Sequence, residues 1–233
     1  MRAALALAPA AAAALAATLA VATLAHAGRT PRHAPEASDA AVSRPLDDFA
    51  LDAVSRTIPA RGRFTCPDVD RVSYRGTSIR FQKRLPLARA FVPRVAAFEK
   101  VVIDVATRVY GRPPTRIRHL GGTVCRRMKT FPELLSEHAL GDAIDIEGFD
   151  FGRATRAQRA AAPRGLRGSF QVRIERHWSA TRGAGAVHAR FLRELADALI
   201  ARPDIFRVML GPSYPGHGNH LHLDTSTYRM IEL

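Results

Sequence analysis

The sequence predicts an α+β fold with a mainly antiparallel sheet flanked by helices. Two segments, Ala88 to Tyr110 and Ala186 to Ala201, carry apolar residues at steps of three and four, the spacing of an amphipathic helix. Short strand-like segments are interspersed with these helices. Regular strand-helix-strand units are absent, so a doubly wound parallel sheet is not expected.

The amino terminus predicts an exported protein. Arg2 precedes an almost unbroken apolar run from Ala3 to Leu24, and Ala25-His26-Ala27 has the small-x-small form of a cleavage site. We therefore expect a signal peptide over residues 1–27 and a location in the periplasm or cell envelope. A retained membrane anchor is the alternative. No second long apolar stretch follows, so no stable membrane span is expected after cleavage.

The rest of the chain divides into an arm and a domain. Residues 28–60 are rich in Pro, Ala, Ser, Arg and Asp, which is typical of a linker or a loosely ordered arm. A folded domain is predicted over residues 61–233. Its first helix ends at Gly111, followed by Pro113 and Pro114. Strands are predicted at residues 115–120, 143–146, 170–174, 206–210 and 220–223, and an exposed excursion at residues 152–168.

The charge is strongly positive, with 35 Lys and Arg against 21 Asp and Glu, a net charge of +14. A nucleic-acid binder is one interpretation. Aromatic residues make up only 7% of the chain and form no stacking pattern, and export separates the protein from nucleic acid. We therefore expect no nucleic acid partner, and peptidoglycan or another anionic cell-envelope polymer instead.

Export also decides how the two cysteines are interpreted. Thiols tend to pair in an oxidising compartment, so a disulfide between Cys66 and Cys125 is predicted. Two separately buried thiols are the alternative. We expect the protein to be a monomer.

Two compact segments concentrate histidines and carboxylates. The first runs from Ser136 to Asp145 and the second from His217 to Asp224. Zinc accepts imidazole and carboxylate ligands, and a catalytic site uses three of them. His138, Asp145 and His222 form such a set for one Zn²⁺. Isolated surface or core histidines are the alternative, but random placement seldom produces both spacings.

The motifs resemble a known family. Residues 136–145 fit SxHxxGxAxD, and His220-Leu221-His222 fits the HxH of the LAS zinc metallopeptidases, which include D-alanyl-D-alanine carboxypeptidases, related dipeptidases and the penicillin-insensitive murein endopeptidase. The segments Cys125-Arg126-Arg127, residues 143–149 and residues 210–224 are similar to the bacterial extensin-like C-terminal domain family. The similarity covers roughly Cys66 to Asp224.

This resemblance implies a fold and a set of roles. The fold is the small zinc fold shared by hedgehog-type domains and D-Ala-D-Ala peptidases. Zinc would lie on His138, Asp145 and His222, with His220 near the metal as a transition-state or proton-handling group. The implied activity is zinc-dependent hydrolysis of amide bonds in peptidoglycan peptides.

One position departs from the family pattern. Where the relatives carry an acidic base three residues before the last zinc histidine, this chain has Asn219, and an amide cannot act as a general base. His217 and His220 are the candidate catalytic groups in its place, because an imidazole titrates near neutral pH. The alternative is a non-catalytic, zinc-stabilised cell-wall-binding module.

Four further residues are assigned from their position. Arg126 is predicted to clamp a peptide carboxylate, with a solvated surface pair of Arg126 and Arg127 as the alternative. Ser136 is predicted to contact substrate, or else to cap a helix or turn. Asn219 could hold a water or a substrate carbonyl. Asp224 is predicted to orient His220 or His222 from behind.

Overall fold

A computed structural model describes residues 51–233 of the chain. The predicted signal peptide and residues 28–50 of the predicted arm lie outside the described residues. Four α-helices occur in the described part, at Val92–Tyr110 (α1), Glu137–Leu140 (α2), Ile174–His177 (α3) and Gly183–Ile200 (α4). Nine strands occur there, at Arg71–Tyr74 (β1), Arg80–Phe81 (β2), Leu85–Ala88 (β3), Arg116–Gly121 (β4), Ala143–Phe151 (β5), Phe170–Arg173 (β6), Val208–Leu210 (β7), Leu221–Asp224 (β8) and Met230–Glu232 (β9).

The predicted α+β class is confirmed. Seven strands form one sheet in the order β2-β4-β5-β8-β7-β9, with β6 also paired to β5. Its pairs are antiparallel except β2 with β4 and β7 with β9, which are parallel. Strands β1 and β3 form a separate antiparallel pair.

The two long helices bury the apolar stripes that predicted them. In α1, Val95, Phe98 and Val102 are buried, and Gly111 ends the helix with a φ of 69° that favours glycine. Helix α4 buries Phe191 and Leu195 and packs against α1. These side chains form the main core with the apolar residues of the sheet.

Strand β5 organises the sheet around the candidate site. One of its edges pairs with β4, and the other pairs with β8 at residues 143–146 and with β6 at residues 148–151. Gly148 lies where β6 comes closest, since a Cβ there would meet the Val172 carbonyl oxygen at 2.1 Å. The amino-terminal half of β5 therefore lies beside β8.

The end of the predicted arm packs on the domain. The Ile58 amide donates to the Glu133 carbonyl at 2.8 Å, and the Leu135 amide donates to the Arg56 carbonyl at 2.8 Å. Val54 and Ile58 cover a small apolar cluster that includes Leu135. Residues 51–58, which we call the strap, therefore contact the segment that leads into α2.

The predicted disulfide between Cys66 and Cys125 is confirmed. It joins the segment that follows the strap to the loop between β4 and α2. Among residues 51–233, no helix has both the length and the apolarity to cross a membrane.

Candidate metal centre

His138 is held on the short buried helix α2. Gly141 ends this helix with a φ of 82°, and a Cβ there would meet the Ala88 amide nitrogen at 2.7 Å. The chain can therefore turn directly into β5. The Nδ1 atom of His138 lies 3.0 Å from the Gly122 carbonyl oxygen, which can only accept a hydrogen bond. Nδ1 is therefore the donor, and the neutral ring carries its lone pair on Nε2.

Asp145 and His222 are direct partners across the β5–β8 ladder. The Nε2 atom of His222 lies 2.8 Å from the Asp224 carboxylate and donates to it. The other oxygen of Asp224 accepts the Ser226 amide at 2.9 Å. The neutral His222 ring therefore carries its lone pair on Nδ1, which faces Asp145.

Three acceptor atoms converge at this point. His138 Nε2 lies 3.2 Å from Asp145 Oδ1 and 3.1 Å from His222 Nδ1, and His222 Nδ1 lies 3.0 Å from Asp145 Oδ1. When both rings are neutral, each of the three atoms presents a lone pair, so the cluster could hold a cation. Ligands of a tetrahedral zinc ion at about 2.0–2.1 Å are separated by about 3.3–3.4 Å. The donor set and its spacing fit zinc.

The electrostatics of the cluster also favour a cation. Burial would raise the pKa of Asp145, but hydrogen bonds and charge from His138 and His222 outweigh it and hold that pKa far below its usual range. Burial would lower the pKa of His222, but Asp145 and Asp224 raise it to about 9. Asp145 is therefore ionised, and a proton on His222 competes with any cation for this centre.

Asp145 and His222 line a cleft with a volume of about 760 Å³. His138 is buried and contacts both of them through its Nε2 atom. Its walls come from the loop before α2 and the loop between β7 and β8. Besides Asp145 and His222, the lining includes Val124, Arg126, Met128, Lys129, Thr130, Ser136, Tyr214, His217, His220, Asp224, Ser226 and Tyr228.

The two predicted catalytic histidines lie at this cleft. The Nδ1 atom of His217 donates to the Pro215 carbonyl at 3.2 Å, so its Nε2 is free to accept a proton. His220 Nε2 lies 3.6 Å from Asp145 Oδ1, and the rings of His217 and His220 are 4.8 Å apart. Burial lowers the pKa of both histidines, which keeps both rings neutral at pH 7.

Asn219 contacts the imidazole of the neighbouring His220. Its Oδ1 lies 2.8 Å from His220 Nδ1 and accepts a hydrogen bond from it. This bond leaves the lone pair of His220 on Nε2, on the side of the acceptor cluster. The Asn219 amide therefore selects the tautomer of a neighbouring imidazole.

The predicted substrate-binding residues fall into separate environments. Arg126 is exposed at the cleft wall, whereas Arg127 donates to the carbonyls of Pro59 and Gly62 and lies 4.2 Å over the Phe64 ring. Ser136 occupies the N-cap position of α2 and lines the cleft, but its side chain makes no capping hydrogen bond. Arg126 and Ser136 are thus at the cleft, and Arg127 stabilises the segment after the strap.

Sequence reasoning missed several cleft residues. Tyr214 lies 3.2 Å from Thr130 through their hydroxyl oxygens, which joins the two walls. Burial raises the pKa of Tyr228 to about 12, so this phenol stays protonated and can donate a hydrogen bond. Lys129 adds a second cation beside Arg126. The only sequence feature that could have indicated the two tyrosines was their closeness to predicted site residues. Tyr214 is three residues before His217, and Tyr228 is four residues after Asp224.

The comparisons with known proteins point to one family. No curated protein and no solved structure matched the chain. Residues 46–233 match the family model described as the extensin-like protein C-terminus. Because this match spans most of the chain, including the strap, α2 and the acceptor cluster, the chain belongs to the extensin-like C-terminal family.

Proposed function

We propose that this chain is an exported, zinc-dependent peptidase-like protein that hydrolyses amide bonds in peptidoglycan peptides. The observation that carries the proposal is the convergence of His138 Nε2, Asp145 Oδ1 and His222 Nδ1 within 3.0–3.2 Å of one another, beside a cleft that Asp145 and His222 line. The resemblance to LAS zinc metallopeptidases supports the same activity.

The three convergent residues would hold one zinc ion. When bound, zinc supplies Lewis acidity to a substrate carbonyl and to water. Asp224 strengthens His222 as a ligand because its carboxylate accepts the proton on the far side of the ring.

The chain's own residues then provide proton transfer and substrate binding. His217 Nε2 and His220 Nε2 are neutral acceptors beside the cluster, suited to take a proton from water and return it to the departing amine. Arg126 and Lys129 place positive charge on the wall, where a peptide carboxylate would bind. The hydroxyl of Tyr228, a half-buried residue that lines the cleft, is a further donor to the substrate.

The direct test is digestion of purified sacculi by the zinc-loaded protein, followed by chromatography of the released muropeptides. We expect release by the wild type and by His177→Gln, which alters a histidine outside the cleft. We expect none from His138→Ala. Equal release by wild type and His138→Ala would contradict the proposal.

A second candidate is a zinc-stabilised cell-wall-binding module, which the amide at Asn219 favours. Such a protein would sediment with sacculi and release nothing. Asn219→Asp separates the two. If only the variant is active, the natural protein is a hydrolase that has lost its general base. If the wild type is active and the variant is not, proton transfer by the histidines is supported.

A further inference from the structure

The excursion between β5 and β6, residues 152–169, has two distinct faces. It contains two short 3₁₀ helices, Ala157–Arg159 and Arg164–Leu166. Ala154, Ala162 and Leu166 are buried. Its five arginines are all exposed: Arg153, Arg156, Arg159, Arg164 and Arg167. A buried side therefore anchors the excursion, and the arginines project from it.

The backbone of this excursion is held in place from within the domain. The buried guanidinium of Arg112 donates to the carbonyls of Gly152, Leu166 and Gly168, at 3.1, 2.7 and 2.8 Å. The Ala154 amide donates to the Arg167 carbonyl at 2.9 Å. The five arginines are thus presented on a defined backbone.

The positive charge of the excursion is not neutralised. Among the described residues, none of the five guanidinium groups takes part in an ion pair or a side-chain hydrogen bond. No acidic residue occurs between Asp150 and Glu175 in the sequence. At the base of the excursion, by contrast, Arg118 and Arg173 both pair with Asp150 at 3.0 Å. The five arginines are therefore available to an external anion.

The excursion presents four of its arginines in two pairs and lacks the features that a nucleic-acid partner would use. A 3₁₀ helix has three residues per turn, so Arg156 and Arg159 lie on one face, and Arg164 and Arg167 share another. Arginine binds phosphate through two parallel hydrogen bonds. The excursion contains no aromatic residue on which a nucleic-acid base could stack, and its one large apolar residue, Leu166, is buried.

We propose that this excursion binds the phosphate groups of an anionic lipid surface. The excursion follows Phe151, six residues along β5 from Asp145, a distance of about 20 Å at the rise of a strand. Lipid binding there leaves the cleft accessible. The proposal is independent of zinc binding and of hydrolysis.

Sedimentation of the full chain with vesicles tests this proposal. One set contains phosphatidylglycerol mixed with phosphatidylcholine, and the other contains phosphatidylcholine alone. The apolar amino terminus contributes to both sets, so the readout is the ratio of the two partition coefficients. Because each arginine near an anionic surface contributes about a fivefold factor, we expect R156Q/R159Q to lower this ratio about 25-fold. High salt should lower the wild-type ratio as well.

Two further variants make the outcome decisive. R164Q/R167Q alters the second 3₁₀ helix and should lower the ratio as much as R156Q/R159Q does. The result therefore does not depend on the correct folding of a single variant. R75Q/R80Q removes the same charge from exposed arginines outside the excursion and should leave the ratio nearly unchanged. The proposal would be overturned if R75Q/R80Q lowered the ratio as much as the excursion variants do, or if both excursion variants left the ratio unchanged. It would also be overturned if the wild type preferred lipid-free sacculi or DNA to anionic vesicles.

Discussion

Each histidine of the acceptor cluster is oriented by its second ring nitrogen. His138 donates to the Gly122 carbonyl, whereas His222 donates to the Asp224 carboxylate. A carboxylate partner increases the basicity of the imidazole more than a carbonyl does, which strengthens its bond to a metal. His222 should therefore depend on its partner more than His138 does.

Removing the charge of Asp224 tests this dependence. We expect Asp224→Asn to weaken zinc affinity by about 10- to 100-fold, the usual effect of losing such a partner. Competition with a chromophoric chelator measures the affinity. Asp104→Asn, at an exposed position on α1, is the matched control and should bind zinc like the wild type. Unchanged affinity in Asp224→Asn would show that the carboxylate does not support the metal ligand.

Replacing His217 separates proton transfer from metal binding. We expect His217→Gln to lower the rate of hydrolysis by about 10²- to 10⁴-fold, because a general base is lost, while zinc content stays the same. Because burial lowers the pKa of His217, the neutral ring should persist below the ordinary histidine pKa of about 6.5. At saturating zinc, wild-type kcat/KM should therefore decline only below that pH. Loss of zinc from His217→Gln would contradict this assignment.

The sequence predicted the place of some site residues and not of others. The alternation of His220, His222 and Asp224 predicted that they approach one cavity, and all three line the cleft. It could not distinguish Arg126 from Arg127, because the partners of Arg127 are the carbonyls of Pro59 and Gly62, far away in the chain. A local pattern carries no information about such contacts.

At the scale of elements, the strap contributes a buried charge to α2. The Arg56 guanidinium donates to both carboxylate oxygens of Glu137, at 3.2 and 3.1 Å, and lies 3.8 Å from Asp142. Burial, and then the charges of Glu137 and Asp52, raise the pKa of Asp142 to about 8. Arg56 therefore offsets a cluster of acidic groups on either side of the helix that carries His138.

We expect Arg56→Gln to lower the free energy of unfolding by about 3 kcal/mol at pH 8, because the buried acidic groups of Glu137 and Asp142 lose their cation. The pKa of Asp142 is higher in the folded state than in the unfolded state, so the folded state binds more protons. The free energy of unfolding therefore falls as the pH rises through this pKa. The loss should accordingly be smaller at pH 5 than at pH 8. Urea unfolding at the two pH values measures it.

Arg89→Gln provides the control for the strap. Its ion pair with Asp70 is fully exposed to solvent, so its removal should change stability little at either pH. An equal effect of Arg56→Gln and Arg89→Gln would show that the strap is not coupled to α2 through charge.

Element lengths explain which parts of the fold were predictable. Helices α1 and α4 span several turns, so their apolar stripes were visible in the sequence. Helix α2 has four residues and β2 has two. Segments of this length are too short to show a periodic pattern of apolar residues in the sequence. The strap was predicted as part of an arm because residues 28–60 as a whole are rich in Pro, Ala, Ser, Arg and Asp. Its backbone hydrogen bonds are made with Glu133 and Leu135, which are far away in the sequence.

At the scale of the whole molecule, the disulfide closes a long loop. Cys66 and Cys125 are 59 residues apart, and β1, β2, β3, α1 and β4 lie between them. Closing a loop of that length is worth about 4 kcal/mol in the chain-entropy description. Cys125 also precedes Arg126 at the cleft, so the bond restrains one wall of the site.

We expect the double variant C66S/C125S to unfold at a lower urea concentration, by a free energy of about 4 kcal/mol. Reduced wild-type protein should behave like the variant, and reduction should not change the variant further. Coincident unfolding of oxidised and reduced wild type would contradict a stabilising role for the bond.

The fold class was predictable because interspersed helical and strand-like patterns suffice for α+β. The mixed character of the sheet was not, since the parallel pairs β2–β4 and β7–β9 join segments whose register depends on the assembled core. The positive charge indicated an anionic partner, but only the three-dimensional arrangement separated the arginines paired with Asp150 from those of the excursion.

We propose above all that His138, Asp145 and His222 hold one zinc ion. Elemental analysis of protein purified with zinc and dialysed against buffer tests it most directly, on the wild type, His222→Ala and His177→Gln. We expect one zinc per chain in the wild type and in His177→Gln, and almost none in His222→Ala. Stoichiometric zinc in His222→Ala, or no zinc in the folded wild-type protein, would contradict the account.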